Sequence, residues 1–95
     1  MRELKKLLSN PSATSLELVE LLNALRDESE PRSRHDHFKR KVRGVLGANA
    51  RKFEAKYQTK TGEHSCYVFP RREACLMVMS YGYALQAKMF DLLKR

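Results

Sequence analysis

Leucines recur at helical spacing in the first quarter of the chain. The first set is short and stops at a Ser-Asn-Pro stretch, residues 9–11. Before the second set, Thr14 and Glu17 stand at the spacing of a capping box, which predicts that a helix begins there. Its apolar positions follow at i, i+3, i+4 and i+7, as expected for one buried helix face that ends near Arg26. They are Leu18, Leu21, Leu22 and Leu25.

A third helix is predicted after a charged segment that contains proline, residues 27–33, which is expected to form an exposed connection. Ser33 can cap this helix at its start, and Gly47 predicts a C-terminal cap at its end. Four apolar residues between them fall at i, i+4, i+7 and i+8, so they are expected to point inward together. These residues are Phe38, Val42, Val45 and Leu46.

The apolar period changes to two in the middle of the chain, which indicates a β-hairpin. Apolar residues alternate there with charged ones at Phe53, Ala55 and Tyr57. The Thr-Lys-Thr-Gly stretch that follows predicts a turn, in which Gly62 is free to adopt a positive φ. Residues 65–69 return as the second strand, which Pro70 ends.

The last quarter of the chain predicts two helices, because the Ser-Tyr-Gly stretch at Gly82 interrupts the pattern and glycine costs about 1 kcal/mol inside a helix. The predicted order is therefore helix, helix, helix, hairpin, helix, helix. This makes residues 1–95 a single α+β domain, mostly helical, with one two-stranded antiparallel hairpin in a winged-helix-like layout and a C-terminal helix pair. A core this small makes oligomerisation a natural source of added stability.

The charge balance is unusual for a domain of 95 residues, with a net charge of +8. Such a balance favours nucleic acid, an acidic membrane face or an acidic protein as a partner, or it keeps a small domain soluble. Cys66 and Cys75 lie in apolar runs without metal-binding spacing, which is typical of reduced cytosolic proteins. No stretch has the length of a membrane span, so a soluble, cytoplasmic protein is expected.

The residues that could support catalysis or metal binding are sparse. His35 and His37 are two apart on a predicted helix, so they diverge by roughly 200° and cannot face one ion. The chain has no glycine-rich phosphate loop, and its Ser, His and Asp residues lack the supporting motifs of a catalytic triad. We therefore expect no enzyme activity, no metal and no cofactor.

The predicted third helix is strongly basic and is the first candidate interaction surface. Residues projecting away from its apolar face could neutralise DNA phosphates, as the recognition helix of a winged-helix protein does. A solvated basic face is the alternative. The connection before the helix exceeds a tight helix-turn-helix turn, and nearby acidic residues (Glu17, Glu20, Asp27, Glu28 and Glu30) would partly cancel the field. The candidate residues are Arg34, His37, Lys41 and Arg43.

The C-terminal helix pair is the second candidate surface, since it carries more large apolar residues than one buried stripe requires. Methionine adapts to irregular contacts, and tyrosine and arginine are enriched in interfaces. We expect a protein partner or self-association here, as a dimer or tetramer, although a fully buried helix pair remains the alternative. The candidate contact residues are Arg72, Leu76, Met77, Tyr81, Tyr83 and Met89.

Several motifs resemble those of bacteriophage antirepressors and, more broadly, of phage regulatory proteins of the Rha type. The resemblance spans residues 14–93 and is densest in Pro-Arg-Arg-Glu-Ala-Cys-Leu, which begins at Pro70, and in Leu-Gln-Ala-Lys, which ends at Lys88. Arg-His-Asp-His-Phe at residues 34–38 adds support.

The resemblance implies a regulator in the cytoplasm of a bacterial host that binds the phage's own repressor in fixed proportion, without a cofactor. Removing the repressor from its operators would promote prophage induction and lytic growth. A winged-helix regulator that binds DNA directly is the alternative function.

Overall fold

Helices and short strands alternate along the chain, and the computed structural model describes residues 2–26 and 28–93. Within these residues the chain forms five α-helices, one 3-10 helix and three strands. In chain order they are α1 (Arg2–Ser9), β1 (Ser12–Thr14), α2 (Ser15–Leu25), α3 (His35–Leu46), the 3-10 helix (Gly47–Phe53), β2 (Glu54–Thr59), β3 (Gly62–Pro70), α4 (Arg71–Met79) and α5 (Tyr83–Leu93). The predicted α+β class is confirmed.

The capping box at the start of α2 is confirmed. The Glu17 N–H donates to Thr14 Oγ1 at 3.1 Å, and the Thr14 N–H donates to Glu17 Oε1 at 2.8 Å. Each side chain thus satisfies a backbone donor that the first helical turn leaves unpaired. The cap fixes where α2 begins, and with it the position of Ser15, the first helical residue.

The connection between α2 and α3 is held by an asparagine clamp, and the prediction that Ser33 caps α3 is wrong. Asn23 Oδ1 accepts from the Ser33 N–H at 2.6 Å, and Asn23 Nδ2 donates to the Ser33 carbonyl at 3.1 Å. Arg34 occupies the cap position of α3 without a side-chain hydrogen bond. Asp27, one of the acidic residues in this connection, lies outside the described residues.

The buried face of α3 is centred on Phe38 and Val42, whose exposures are 1% and 0%. Leu46 packs partly against the core, but Val45 is 46% exposed, so the prediction that all four residues point inward is wrong for Val45. At about 100° per residue, Val45 lies about 60° from Val42 but only about 20° from Phe38, so its direction around α3 does not account for its exposure. Gly47 caps the helix with a φ of 58°, as predicted.

The sheet has three antiparallel strands in the order β1-β3-β2, so the expected two-stranded hairpin is only part of it. Ser12, Ala13 and Thr14 of β1 pair with Pro70, Phe69 and Val68. The Arg71 N–H extends this edge by donating to the Pro11 carbonyl at 3.0 Å. The Ser-Ala-Thr sequence of β1 has no large alternating side chains that would predict a strand. The strand forms because its backbone pairs with β3.

The hairpin itself matches its prediction. β2 and β3 pair from Glu54 opposite Tyr67 to Thr59 opposite Gly62, and Gly62 adopts a φ of 119° in the turn. Such a value is rare for residues with a side chain, which explains glycine at this position.

The helix pair also divides where the sequence predicts. α4 ends at Met79, and Gly82 separates it from α5 with a φ of 122°. The Gln86 side chain donates to the Met79 carbonyl at 2.9 Å, which satisfies an acceptor at the end of α4.

The core lies between the sheet and the helices, and it contains two residues that were expected to contact a partner. Met77 and Met89 are both 0% exposed. They share the interior with Phe38 of α3 and Phe69 of β3, which are also fully buried. Both methionines are therefore core residues, and the sequence-based assignment to a contact surface is wrong for them.

We expect Met77→Ala to lower the free energy of unfolding by about 2–5 kcal/mol, because it removes buried side-chain atoms and leaves a cavity. Arg72→Ala, on the exposed side of the same helix, should change it by no more than about 0.5 kcal/mol. Urea denaturation followed by circular dichroism measures both values. Equal effects of the two substitutions would contradict the burial of Met77.

Candidate nucleic-acid interface

The outward face of α3 is set by the two residues it buries. A residue two positions along a helix lies about 200° away, so Phe38 places Arg40 on the opposite side of α3. Arg43 lies on the same outward side, and both arginines are exposed. Within the part of the chain that the structure describes, neither arginine forms an ion pair. Their guanidinium groups therefore remain available to an anionic ligand.

Arg34 and His37 of the predicted basic surface are exposed but share an acidic neighbour. Arg34 Nε lies 3.4 Å from Asp36 Oδ1, and His37 Nε2 lies 3.9 Å from Asp36 Oδ2. Because these groups are more than half exposed, the contacts contribute little to stability. Asp36 does reduce the positive potential at the start of α3, which leaves its second half as the more basic part.

Lys41 does not face outward as predicted, because it lies over an aromatic ring. Its Nζ is 3.8 Å from the centroid of the Tyr81 ring. Tyr81 stacks in turn on Phe38, with centroids 6.2 Å apart and an interplanar angle of 11°. In this cation–π contact the Lys41 ammonium group binds the ring of Tyr81, which lies at the corner between α4 and α5. Tyr81 is therefore half-buried, and burial raises the pKa of its hydroxyl.

Arg40 was absent from the sequence-based candidates, although a signal for it exists. The prediction followed the row Arg34, His37, Lys41, which lies beside the buried face rather than opposite to it. Stepping two residues from Phe38 leads directly to Arg40. For α3, the position of the most deeply buried apolar residue thus locates the outward face better than the row of charged residues does.

The β2–β3 hairpin adds a second basic element with a braced tip. Thr59 Oγ1 lies 2.8 Å from Thr61 Oγ1, and His64 Nε2 lies within 3.0 Å of both hydroxyl oxygens. Lys60 is exposed between the two threonines. Lower on the hairpin, Lys56 Nζ pairs with Glu63 Oε1 at 3.2 Å. The tip is therefore a fixed loop that presents a lysine.

Polar contacts hold α3 against β3 and against α2. At the middle of the helix, Lys39 Nζ donates to the Ser65 carbonyl at 3.3 Å and to Ser65 Oγ at 3.0 Å. At the start of the helix, His35 Nε2 lies 2.8 Å from Ser15 Oγ. Ser15 is fully buried and its hydroxyl oxygen also accepts the Tyr67 N–H of β3 at 3.0 Å. One hydroxyl thereby joins α2, α3 and β3.

The Ser15 hydroxyl already accepts the Tyr67 N–H, and it still has one proton to donate and one lone pair to offer to Nε2 of His35. The direction of the Ser15–His35 hydrogen bond therefore depends on the tautomer of the imidazole. Burial and the nearby Lys39 ammonium lower the pKa of His35 below its usual 6.5, against a smaller opposing effect of Asp36. His35 therefore serves to position α3.

The candidate partner residues on the helix pair fall into three groups. Met77 and Met89 are buried in the core, and Tyr81 is held between Phe38 and Lys41. The remaining three are exposed: the Arg72 side chain is 82% exposed, Leu76 is 38% exposed and Tyr83 is 84% exposed. Of the six predicted contact residues on the helix pair, Arg72, Leu76 and Tyr83 are therefore the ones exposed to a partner.

The described residues give little support to a cysteine nucleophile or a metal site. Cys66 and Cys75 are buried free thiols, and burial raises the pKa of Cys75 despite the opposing charge of Arg71. A protonated, buried thiol is a poor nucleophile. In residues 2–26 and 28–93, no three His, Cys, Asp or Glu side chains are placed to hold a metal ion. No helix in these segments is long and apolar enough to cross a bilayer.

Comparisons of the chain with known protein families, with curated proteins and with solved structures find no match.

The depressed pKa of His35 predicts how stability depends on pH. The folded state binds fewer protons at His35 than the unfolded chain, so its contribution is complete above the unfolded pKa near 6.5 and is lost as the pH falls toward the folded value. Urea titrations between about pH 5 and about pH 8 measure this dependence. His35→Gln should flatten it, whereas His37→Gln, at the exposed neighbour, should not. An unchanged dependence in His35→Gln would contradict the assignment.

Proposed function

We propose that this chain is a transcription regulator that binds duplex DNA, with α3 as its recognition helix. The observation that carries the proposal is the placement of Arg40 and Arg43, both exposed and free of ion pairs within the described residues, opposite the buried Phe38. Arginine suits this role because its planar fork binds guanine edges and phosphates in two-point contacts.

The order of elements supports the proposal. A helix and a short strand precede α2 and α3, a hairpin follows, and the sheet order is β1-β3-β2. This order agrees with a winged-helix layout, in which the hairpin would form the wing beside the recognition helix. Lys60 at the braced hairpin tip then lies on the second element of the DNA-binding surface, where a cation would contact a phosphate.

The long connection before α3 does not weaken this role. In a helix-turn-helix the short turn fixes the angle between the two helices. Here the Asn23–Ser33 clamp, the Ser15–His35 hydrogen bond and the Lys39–Ser65 contacts fix α3 instead. A rigid recognition helix is thus obtained without a tight turn.

A second candidate function is antirepression, in which the chain binds a phage repressor. Arg72 and Leu76 support it, because residues four apart share one face of α4 and both are exposed. Arginine is one of the residue types enriched among the energetically dominant contacts of protein interfaces. The resemblance to phage antirepressors agrees with this candidate, and the exposed α3 face favours direct DNA binding over it.

The DNA-binding proposal is tested with a pair of charge-matched double variants. Arg40→Ala/Arg43→Ala should raise the dissociation constant for duplex DNA by at least about tenfold, because it removes contacts worth about 1–3 kcal/mol each. It should also lower the slope of log affinity against log salt. Lys5→Ala/Lys88→Ala removes as much charge from exposed positions outside α3 and should have a much smaller effect. Fluorescence anisotropy with random-sequence duplexes measures both.

Two outcomes would contradict DNA binding through α3. One is an absence of DNA affinity at low salt, and the other is an equal loss in both double variants, which would indicate an unspecific effect of net charge.

Antirepression predicts a different result in the same assay. The chain would release a phage repressor from labelled operator DNA without binding the DNA itself. Arg72→Glu/Leu76→Asp should abolish that release, while Arg40→Ala/Arg43→Ala should leave it intact. Release that persists in the Arg72/Leu76 variant would exclude this surface of α4.

A further inference from the structure

Helix α5 is apolar on two sides, and only one of them faces the core. Met89 is fully buried, and Leu85 and Leu92 pack against the core beside it. On another side, Tyr83 is 84% exposed and Phe90 is 63% exposed. We call this second side, formed by Tyr83, Gln86, Ala87 and Phe90, the α5 stripe.

The α5 stripe is a groove as well as a patch. Met79, at the end of α4, lines it together with the stripe residues, and Asp91 borders it. Among its lining residues there is no lysine or arginine, although the chain carries a net charge of +8. Lys88 is exposed but lies about 100° round the helix from Ala87. The stripe is therefore a surface on which positive charge would not oppose the approach of another basic protein.

The sequence of the stripe is self-complementary. Tyr83 and Phe90 are seven residues apart, which places them on one side of α5 within about 20°. Gln86 and Ala87 lie midway between them. When two such helices pair antiparallel about a twofold axis at this midpoint, Tyr83 of each copy meets Phe90 of the other, and both aromatic contacts form at once. The small Ala87 at the crossing allows the helices to approach closely.

The acidic residue at the edge of the stripe fits the same arrangement. In the antiparallel pair Asp91 of one copy falls beside Tyr83 of the other, where its carboxylate can accept a hydrogen bond from the phenol. This contact also forms twice. An acidic edge disfavours DNA as the occupant of this groove. Self-complementary spacing, absence of cations from the lining and a matched donor and acceptor together favour a second copy of the chain.

We propose that α5 is a homodimer interface in which the stripes of two copies pack antiparallel, with Tyr83 of each copy against Phe90 of the other. The dimer does not depend on DNA binding by α3. It uses exposed residues of α5 and leaves the arginines of α3 and the exposed Arg72 of α4 outside the interface.

Charged variants and their mixture test both the interface and its direction. Sedimentation equilibrium in the absence of DNA should give the wild-type chain the mass of a dimer. Tyr83→Lys/Asp91→Asn and Phe90→Glu should each be monomeric, because each homodimer would bury two charges without an opposite charge across the interface. The Asp91→Asn change removes the carboxylate that a lysine at position 83 would otherwise meet. Mixed in equal amounts, the two variants should form a heterodimer, since Lys at 83 faces Glu at 90 in one contact and Tyr faces Phe in the other. Ala84→Lys, on an exposed position outside the stripe, should remain dimeric.

Circular dichroism checks that each variant is folded. The proposal is overturned if the folded wild-type chain is monomeric at micromolar concentration. A monomer whose α5 stripe binds a phage repressor would overturn it in the same way. A dimer that Phe90→Glu leaves intact would place the interface elsewhere. Monomeric variants that do not associate when mixed would exclude the antiparallel arrangement. Since no DNA is present, none of these results depends on the function of α3.

Discussion

The arrangement of this domain depends on one buried hydroxyl group. Ser15 Oγ accepts the Tyr67 N–H from β3 and pairs with His35 Nε2 at the start of α3, while its own backbone begins α2. A buried hydroxyl is costly unless it is fully hydrogen-bonded, so the three elements can meet only in a geometry that satisfies it. The capping box at Thr14 places Ser15, and the His35 imidazole meets its hydroxyl in the same rotation of α3 that buries Phe38 and Val42. Which side chains of α3 face outward follows from that rotation.

The rotation divides the cations of α3 between two tasks. Lys39 and Lys41 are used inside the domain, one on Ser65 of β3 and the other on the Tyr81 ring. Arg40 and Arg43, between and beyond them, face outward. Helix α3 therefore carries two lysines that make contacts inside the domain and two arginines that face solvent. The total charge of the helix does not tell these two groups apart. The structural lysines connect α3 to the sheet on one side and to the corner of the C-terminal helix pair on the other.

Local signals in the sequence predicted local structure well. The Thr14–Glu17 spacing, Gly47, Gly62 and Gly82 each require a particular backbone geometry, and each lies where it was expected. Features that depend on distant contacts were not predicted. β1 has no strand pattern of its own, and the burial of Met77 and Met89 depends on the other elements that contribute to the core. Arg40, by contrast, was missed although the local pattern locates it, because the prediction followed the row of charges and not the position opposite Phe38.

The three residues of β1 have a consequence for how the chain folds. The β2–β3 hairpin joins neighbouring residues, so it closes at little entropic cost. β1 can add to it only after residues 12–14 meet residues 68–70, and the neighbouring Ser15–Tyr67 bond spans 52 residues. Closing so large a loop costs entropy before any contact compensates for it, which slows folding. Docking of β1 is thus the pairing step of this sheet that closes the larger loop, and it places the shortest strand at the edge of β3.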